Sequence, residues 1–351
     1  MKRERLASSL LALGIMGCTA PGHLMSVPSY MNTQIMPITG ELLGAQEAAR
    51  QRTPAKLPSV SSLQNKSYGN YAYRIGPNDI LSIIVWEHPE LTSPAGKFGT
   101  AEEGGRLVSP DGTIFFPYAG TVRVAGKTLE EVRAMLTNAL ARVIENPQLD
   151  VRVASYRSQR IYVVGEVETP GPLPITDVPT TVLDAISKAG RVTERADLVH
   201  ATLTRDGKPY AINLLAMYEN GDMTENIVLE GGDALHIPDR SRQRVYVLGE
   251  VPEPTTLVID DGTMNLTEAL GGAGFANPET AAPAYTYVIR GTAEKPRIFR
   301  LFGKSPAAFV LADQFQLKPQ DVVYVESKQL TRWSRVLNLL LPVRIVNPPQ
   351  I

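Results

Sequence analysis

Gln159–Val167 reads QRIYVVGEV, and Gln243–Val251 reads QRVYVLGEV. Tyr162, Gly165 and Glu166 therefore recur 84 residues later as Tyr246, Gly249 and Glu250. The same offset carries VLDAISKAG (182–190) onto LTEALGGAG (266–274). GGDALHI (231–237) returns as PQDVVYV (319–325) at an offset of 88, so the second copy holds about four extra residues between those anchors. Matched blocks at one spacing, with a third close by, mark an internal duplication. Each copy reads as strand, turn, short helix, strands and a closing strand. In the first copy the helix is expected over Thr181–Lys188, with Gly190 ending it.

The phrase before each closing strand also appears upstream, in GPNDILSI (76–83). In all three places a Gly- or Pro-containing turn ends in Asp and launches an apolar strand. An Asp carboxylate can accept nearby backbone N–H groups, so Asp79, Asp233 and Asp321 read as turn-forming residues and not as catalytic acids. From Tyr73 to Trp86 the pattern predicts strand, turn and a strand rich in β-branched residues. Asp111-Gly112 predicts a hairpin turn. Thr128 and Glu131 have capping-box spacing ahead of Leu129, Val132, Leu136, Leu140 and Val143, a helical period that Pro147 follows. QLDVRVASYRS (148–158) alternates as a half-buried or edge strand. The expected fold class is α+β and multi-domain: a small domain over 71–157, then two duplicated domains over 158–241 and 242–327.

The chain has 351 residues, 43% of them hydrophobic, and a net charge of −1. That balance excludes a strong general attraction to nucleic acid. No run of about 18 uninterrupted apolar residues is present, so no ordinary transmembrane helix is expected. MKRER followed by LASSLLALGIMG reads as a basic and then an apolar region of an export signal over 1–17. Cys18 is the only cysteine and has no intramolecular disulfide partner. Ile15-Met16-Gly17-Cys18 resembles the bacterial lipoprotein box; the alternative is a plain signal peptide that includes a cysteine. The lipobox reading puts diacylglycerol on the Cys18 sulfur and an acyl group, such as palmitate, on the new N-terminus. Thr19, in place of the Asp common in lipoproteins kept at the inner membrane, points to the outer membrane. Residues 18–70 are polar and read as a tether or extended wrap, with a short helix at GELLGAQEAARQ (40–51).

The C-terminal segment 328–351 predicts an amphipathic helix. At about 100° per residue, Leu330, Trp333, Val336, Leu337, Leu340 and Leu341 share one face, and Thr331, Ser334, Arg335 and Asn338 the other. Seventeen residues, Leu330–Val346, reach about 26 Å at ~1.5 Å per residue, just short of a hydrocarbon core of about 30 Å. Spanning in a ring with the polar face on water, lying flat in the headgroups and packing on its own domain are all compatible with this pattern. Pro342 interrupts it.

No catalytic, metal or cofactor signature emerges. His23, His88, His200 and His236 lack metal-ligand spacing. There is no Gly-x-Ser-x-Gly elbow and no phosphate loop. Glu87, His88 and Glu90 in WEHPEL read as a solvated loop, and Glu166 and Glu250 as a duplicated structural residue. Tyr71, Tyr73, Tyr118, Tyr162 and Tyr246 lie on predicted strands, where packing is the expected role.

YRIGPNDILSIIVWEHPELT, SPDGTIFFPYAGTVRVAGKTLEEVR and NPQLDVRVASYRSQRIYVVGEV resemble the polysaccharide-export domain running into a ligand-binding β-grasp repeat. The order of lipobox, export domain, two repeats and amphipathic helix resembles the outer-membrane polysaccharide translocon lipoproteins of the Wza type over nearly the whole mature chain. The resemblance implies a non-enzymatic, ring-shaped homo-oligomer, typically an octamer, standing in the periplasm. Its C-terminal helices would form a barrel through the outer membrane, with Thr331, Ser334, Arg335 and Asn338 towards the pore. Capsular or extracellular polysaccharide would pass through the centre, and an inner-membrane chain-length regulator, often a tyrosine autokinase, would dock beneath. Repeated domains would stack as successive rings and lengthen the conduit. The competing expectation is a periplasmic adaptor of the same fold that forms no pore; a polysaccharide hydrolase lacks the acid/base signature.

Overall fold

The computed structural model describes residues 35–52, 57–63, 71–92, 104–260, 262–277, 281–292, 295–304 and 306–327. Cys18, His23 and the whole 328–351 segment lie outside the described residues. Two compact units divide the chain: Gln46–Arg244 with Val258–Met264, and the N-terminal residues to Ala45 with Val245–Leu257 and everything from Asn265 onward.

The chain enters through a three-residue strand, β1 (Ile35–Pro37), and a helix, α1 (Gly40–Arg52), the helix expected from the sequence. The export-like region follows: β2 (Ile80–Val85), α2 (Pro89–Thr92), β3 (Arg106–Leu107), β4 (Thr113–Phe116), β5 (Gly120–Arg123), α3 (Leu129–Leu140) and β6 (Leu149–Ser155). β2 is the centre of a three-stranded antiparallel sheet between β3 and β6, so β6 is an edge. In α3 the capping box forms as its spacing requires: Thr128 Oγ1 accepts from Glu131 N at 3.2 Å, and Glu131 Oε2 accepts from Thr128 N at 2.8 Å. Val132, Leu136 and Leu140 are fully buried, and α3 packs on β6. Val143, the last residue of the predicted period, lies past the helix and is exposed. Asp111-Gly112 does form a tight turn, with Gly112 N donating to Ser109 O. The strands on either side of it do not make a hairpin: β3 pairs with β2, and β4 with β5. The turn chemistry is local, whereas the choice of partner belongs to the sheet.

The first copy runs β7 (Arg160–Gly165), β8 (Gly171–Pro174), α4 (Val182–Lys188), β9 (Ala201–Arg205), β10 (Lys208–Ile212), α5 (Leu214–Asn220) and β11 (Ala234–Ile237), with sheet order β10-β9-β11-β7-β8. The second runs β12 (Arg244–Gly249), β13 (Thr255–Val258), α6 (Leu266–Gly272), β14 (Ala281–Thr292), β15 (Lys295–Leu301), α7 (Ala307–Gln314) and β16 (Val322–Ser327), with order β15-β14-β16-β12-β13. The two topologies coincide: hairpin, helix, hairpin, helix, and a closing strand laid parallel to the first strand in the middle of the sheet. Strand alternation places Ile161 and Val163, or Val245 and Val247, in the core. The extra residues of the second copy are a longer hairpin. Arg205 faces Lys208 across a two-residue turn, whereas the equivalent Arg290 faces Arg297, with the strands running on to Thr292 and Lys295.

Gly165 and Gly249 explain why the repeated phrase is so alike. Both hold positive φ, 96° and 95°. A Cβ there would sit 1.9 Å from Ile237 O or 2.1 Å from Val325 O, the backbone of the closing strand. Only glycine lets the two central strands approach at that level.

Two described stretches of the N-terminal region lie along sheet edges. β1 adds in parallel to β15, pairing Pro37 with Arg300, and Ile38 N donates to Arg300 O at 2.8 Å. In the other unit Ser59 bridges in parallel to Ala211, whose N donates to Pro58 O at 2.8 Å. Ala211 and Arg300 each stand one residue before the end of the equivalent strand, β10 or β15. The arm thus covers the same open edge in both copies, one of the ways a sheet edge is protected from adventitious pairing.

Candidate functional site

The three Asp turns share one geometry. Asp79 Oδ2 accepts from Gly76 N at 2.9 Å, Asp233 Oδ2 from Glu230 N at 2.8 Å, and Asp321 Oδ2 from Lys318 N at 2.8 Å. The residue before each Asp is left-handed: Asn78, Gly232 and Gln320. All three carboxylates are buried, and each has a partner beyond the turn. Asp79 Oδ1 accepts from the backbone N of Arg157 and Ser158, and its Oδ2 takes the hydroxyls of Tyr73 and Ser158. Asp233 instead holds Arg205, through Nε at 2.9 Å and Nη2 at 2.6 Å. Asp321 holds Arg290 in the same fork, at 2.9 Å and 2.6 Å. The duplicated arginines were missed by the sequence reading. Their signal was present as an Arg 28 residues before Asp233 and another 31 before Asp321.

The Asp79 hub ties the leading segment of the export region to the first copy, and a pocket of about 640 Å³ opens beside that joint within one compact unit. Tyr71, Tyr73 and Arg74 line one side, and Gln159, Arg160, Tyr162 and Glu230 the other. Gln159 Nε2 donates to Arg74 O at 2.6 Å, and Tyr71 OH to Thr176 O at 2.7 Å. Burial, and after it the Asp177 carboxylate, raises the Tyr71 phenol above its ordinary pKa. Tyr156, edge-on to Tyr73 at 4.9 Å, is pushed up to about 12 by burial and by its bond to Asp177. These phenols stay protonated at physiological pH and keep their hydroxyls as donors. Aromatic faces with guanidinium, amide and carboxylate groups around them suit a polyhydroxylated chain: the rings take C–H faces and the polar groups take hydroxyls.

Of the tyrosines expected on strands, Tyr73 is buried, but it lies in the irregular segment before β2: the strand expected to start at Tyr73 does not form, and the first strand of this region begins at Ile80. Tyr162 and Tyr246 instead point outward, 47% and 38% exposed, on the solvent side of their sheets, with Val164 and Leu248 beside them. Tyr118 sits in the left-handed turn between β4 and β5 and is exposed. Alternation assigns a face; it does not say whether anything covers that face.

The titratable groups form small pairs. His88 Nδ1 lies 2.9 Å from Glu90 Oε1, a contact that lowers the Glu90 pKa; Glu90 stands in the first turn of α2 and not in the loop expected from the sequence. His200 Nδ1 lies 2.9 Å from Asp197 Oδ2, and that hydrogen bond raises the imidazole pKa. His236 is exposed on β11. Glu166 accepts from Thr193 Oγ1 at 2.7 Å and pairs with Arg195. Among the described residues no three His, Cys, Asp or Glu side chains group as a metal site. Among them, too, no helix is long and apolar enough to cross a membrane. Cys18, the lipid-facing set Leu330, Trp333, Val336, Leu337, Leu340 and Leu341, and the pore-facing set Thr331, Ser334, Arg335 and Asn338 lie outside the described residues.

A small α+β domain followed by two copies of one β-rich domain, whose shared buried groups are engaged in turns and joints, defines a repeated scaffold. Comparison with known proteins assigns the class. The polysaccharide biosynthesis/export protein model matches residues 67–154, and the SLBB domain model matches 159–237 and 243–325. The EPS I polysaccharide export outer membrane protein EpsA of Ralstonia nicotianae is 43% identical over 337 residues, covering 92% of this chain and 86% of that protein. The capsule polysaccharide export protein BexD of Haemophilus influenzae is 25% identical over 308 residues, covering 78% and 76%. The polysialic acid transport protein KpsD of Escherichia coli is 25% identical over 290 residues, covering 75% of this chain and 48% of that protein. The chain belongs to the family of outer-membrane polysaccharide export proteins, whose role is transport and not enzymatic catalysis.

Proposed function

We propose that this chain carries extracellular or capsular polysaccharide across the outer membrane as one subunit of a homo-oligomeric channel. The observation that carries this reading is the end-to-end likeness to the EPS I export protein, spanning 92% of the chain and both β-grasp copies. In this reading residues 1–17 are a signal peptide, Cys18 carries the lipid, and most of the chain stands in the periplasm. The 328–351 segment forms the membrane barrel, with Leu330, Trp333, Val336, Leu337, Leu340 and Leu341 on lipid and Thr331, Ser334, Arg335 and Asn338 on water. An octameric ring is the expected assembly, and an inner-membrane chain-length regulator or tyrosine autokinase is the expected partner. The outward row of Tyr162 and Val164 and its repeat, Tyr246 and Leu248, support assembly, because exposed apolar groups duplicated at equivalent strand positions suit contacts between copies. The pocket beside Tyr71, Arg160 and Tyr162 offers the polymer a weak hold, as a conduit needs.

Two measurements test the reading. Light scattering of the detergent-extracted protein should give a mass several times the 38.2 kDa of the chain. A monomer at every concentration would remove the ring. Cys18→Ser should leave an unacylated precursor that is uncleaved or mislocalised, because the thioether needs the cysteine sulfur. Normal acylation of that variant would remove Cys18 as the attachment site.

A further inference from the structure

One end of the second β-grasp copy carries large apolar side chains that stay exposed among the described residues, Phe302 edge-on to Tyr285 at 6.2 Å. Phe275, Phe302, Phe309 and Val310 are 51%, 53%, 66% and 57% exposed. The strand register shows that they share an end. Thr286 pairs with both Leu301 and Val325, and Val325 pairs with Gly249, so β15, β16 and β12 all finish at one level. Phe302 follows β15 directly, and Phe309 and Val310 lie in the first turn of α7, which starts at this end and returns to the beginning of β16. Phe275 precedes β14, which also begins here, and its neighbour Asn277 donates to Glu250 O just past the end of β12. Lys304 Nζ stands 5.5 Å from the centre of the Phe302 ring.

The first copy supplies an internal comparison. Arg191 occupies the position of Phe275, 84 residues earlier, and both residues are left-handed, at φ 83° and 62°. Asn213 follows β10 as Phe302 follows β15, and its side chain caps α5. At the same end Arg195 pairs with Glu166 and Asp239. At this end the first copy carries Arg191, the Arg195 ion pairs and one exposed aromatic, Tyr218, close to Arg191, whereas the second carries three exposed phenylalanines. A bulky residue in the left-handed region is disfavoured, yet both copies keep that backbone, so what sets Phe275 apart from Arg191 is its exposed aromatic ring.

The geometry points to a membrane-contact rim: Phe275, Phe302, Phe309 and Val310 rest in the headgroup–acyl boundary of the bilayer's inner face. The inference rests on the proposed membrane placement of 328–351. The chain leaves the second copy towards that segment at Ser327, which pairs with Ala281 at this same end. Aromatic rings with a neighbouring lysine are the side chains that settle at a membrane interface. Glu253, in the β12–β13 connection at this end, offsets Lys304, so the rings and not net charge carry the contact. The contact should therefore form on zwitterionic as well as anionic lipid.

The test uses the full lipidated protein in phosphatidylcholine vesicles, with and without bromine on the upper acyl chain. In a Trp86→Phe, Trp333→Phe background, Phe275→Trp and Phe309→Trp should each lose emission to brominated lipid, because rings in the headgroup–acyl boundary reach the upper acyl chain. Arg191→Trp in the same background should lose none. Trp333 is read separately in Trp86→Phe alone. If Trp333 is quenched and the two rim tryptophans are not, the rim is overturned and the channel reading stands. If the rim tryptophans are quenched and Trp333 is not, the rim stands and the spanning helix falls. Blue-shifted but unquenched emission at 275 and 309 would mean that a second copy or the chain's own C-terminal segment covers them, and would also overturn the rim.

Discussion

Deleting the chain from Leu330 onward is expected to reduce surface polysaccharide to the level of a strain lacking the gene, while the remaining protein stays folded and anchored. The second copy closes without those residues. β16 ends at Ser327 with Val323 and Val325 fully buried in the sheet. Glu326 is buried as well, with Tyr287 OH 3.3 Å from its Oε2. The β12–β16 and β14–β16 ladders use no residue beyond 327. Cys18 is untouched, so outer-membrane fractionation should survive. Leu337→Arg should act in the same direction. It sets a charge on the lipid face at about 2.5–3.5 kcal/mol per subunit on insertion scales, repeated around the ring. Asn338→Ser, on the water face, should leave export unchanged. Surface polymer measured on intact cells, with protein level and fractionation scored alongside, decides the matter. A stable, correctly localised truncation that still displays full surface polymer would make the protein an adaptor and not the pore.

Arg290→Ala should give the largest loss of stability in the second copy. The guanidinium meets Asp321 through two nitrogens, donates to Gln316 O at 3.0 Å, and lies 5.2 Å and 5.5 Å from the centres of the Phe299 and Phe315 rings. Its side chain is 9% exposed and that of Asp321 1%. Removing one member of a buried pair strands the other charge, at about 3–5 kcal/mol. Arg290→Lys should recover only part of this, since an ammonium cannot reproduce the planar fork. Replacing both partners, Arg290→Met with Asp321→Asn, should recover more than Arg290→Ala, because no ion is then left alone. Several domains share the chain, so one melting temperature does not isolate the effect. Hydrogen exchange does: amides of β14 and β16 should lose protection in Arg290→Ala, while those of β9 and β11 keep theirs. Unchanged protection in β14 and β16 would show that the pair adds nothing to stability.

What the sequence determined by itself was local or repeated. The capping box at Thr128, the helices at residues 40–51 and 181–188, the three turns ending in Asp, and the duplication with its spacing all depend on residues a few positions apart or on a phrase said twice. Steric and hydrogen-bonding rules act at that range, so the residues state their own structure. The excess of four residues was legible as a number, but not as a longer β14–β15 hairpin, because register is set by cross-strand packing. Asp111-Gly112 announced its turn correctly; the pairing of β3 with β2 and of β4 with β5 depended on which strands the sheet brought together. Arg205 and Arg290 looked like ordinary strand cations until the fold set each against an aspartate 28 or 31 residues away. The tertiary structure alone decided that the N-terminal arm seals the same edge in both copies. It alone decided that Tyr162 and Tyr246 face outward, and that Phe275, Phe302 and Phe309 gather at one end. Alternation and helical period assign a side chain to a face, but only the three-dimensional arrangement determines what, if anything, covers it.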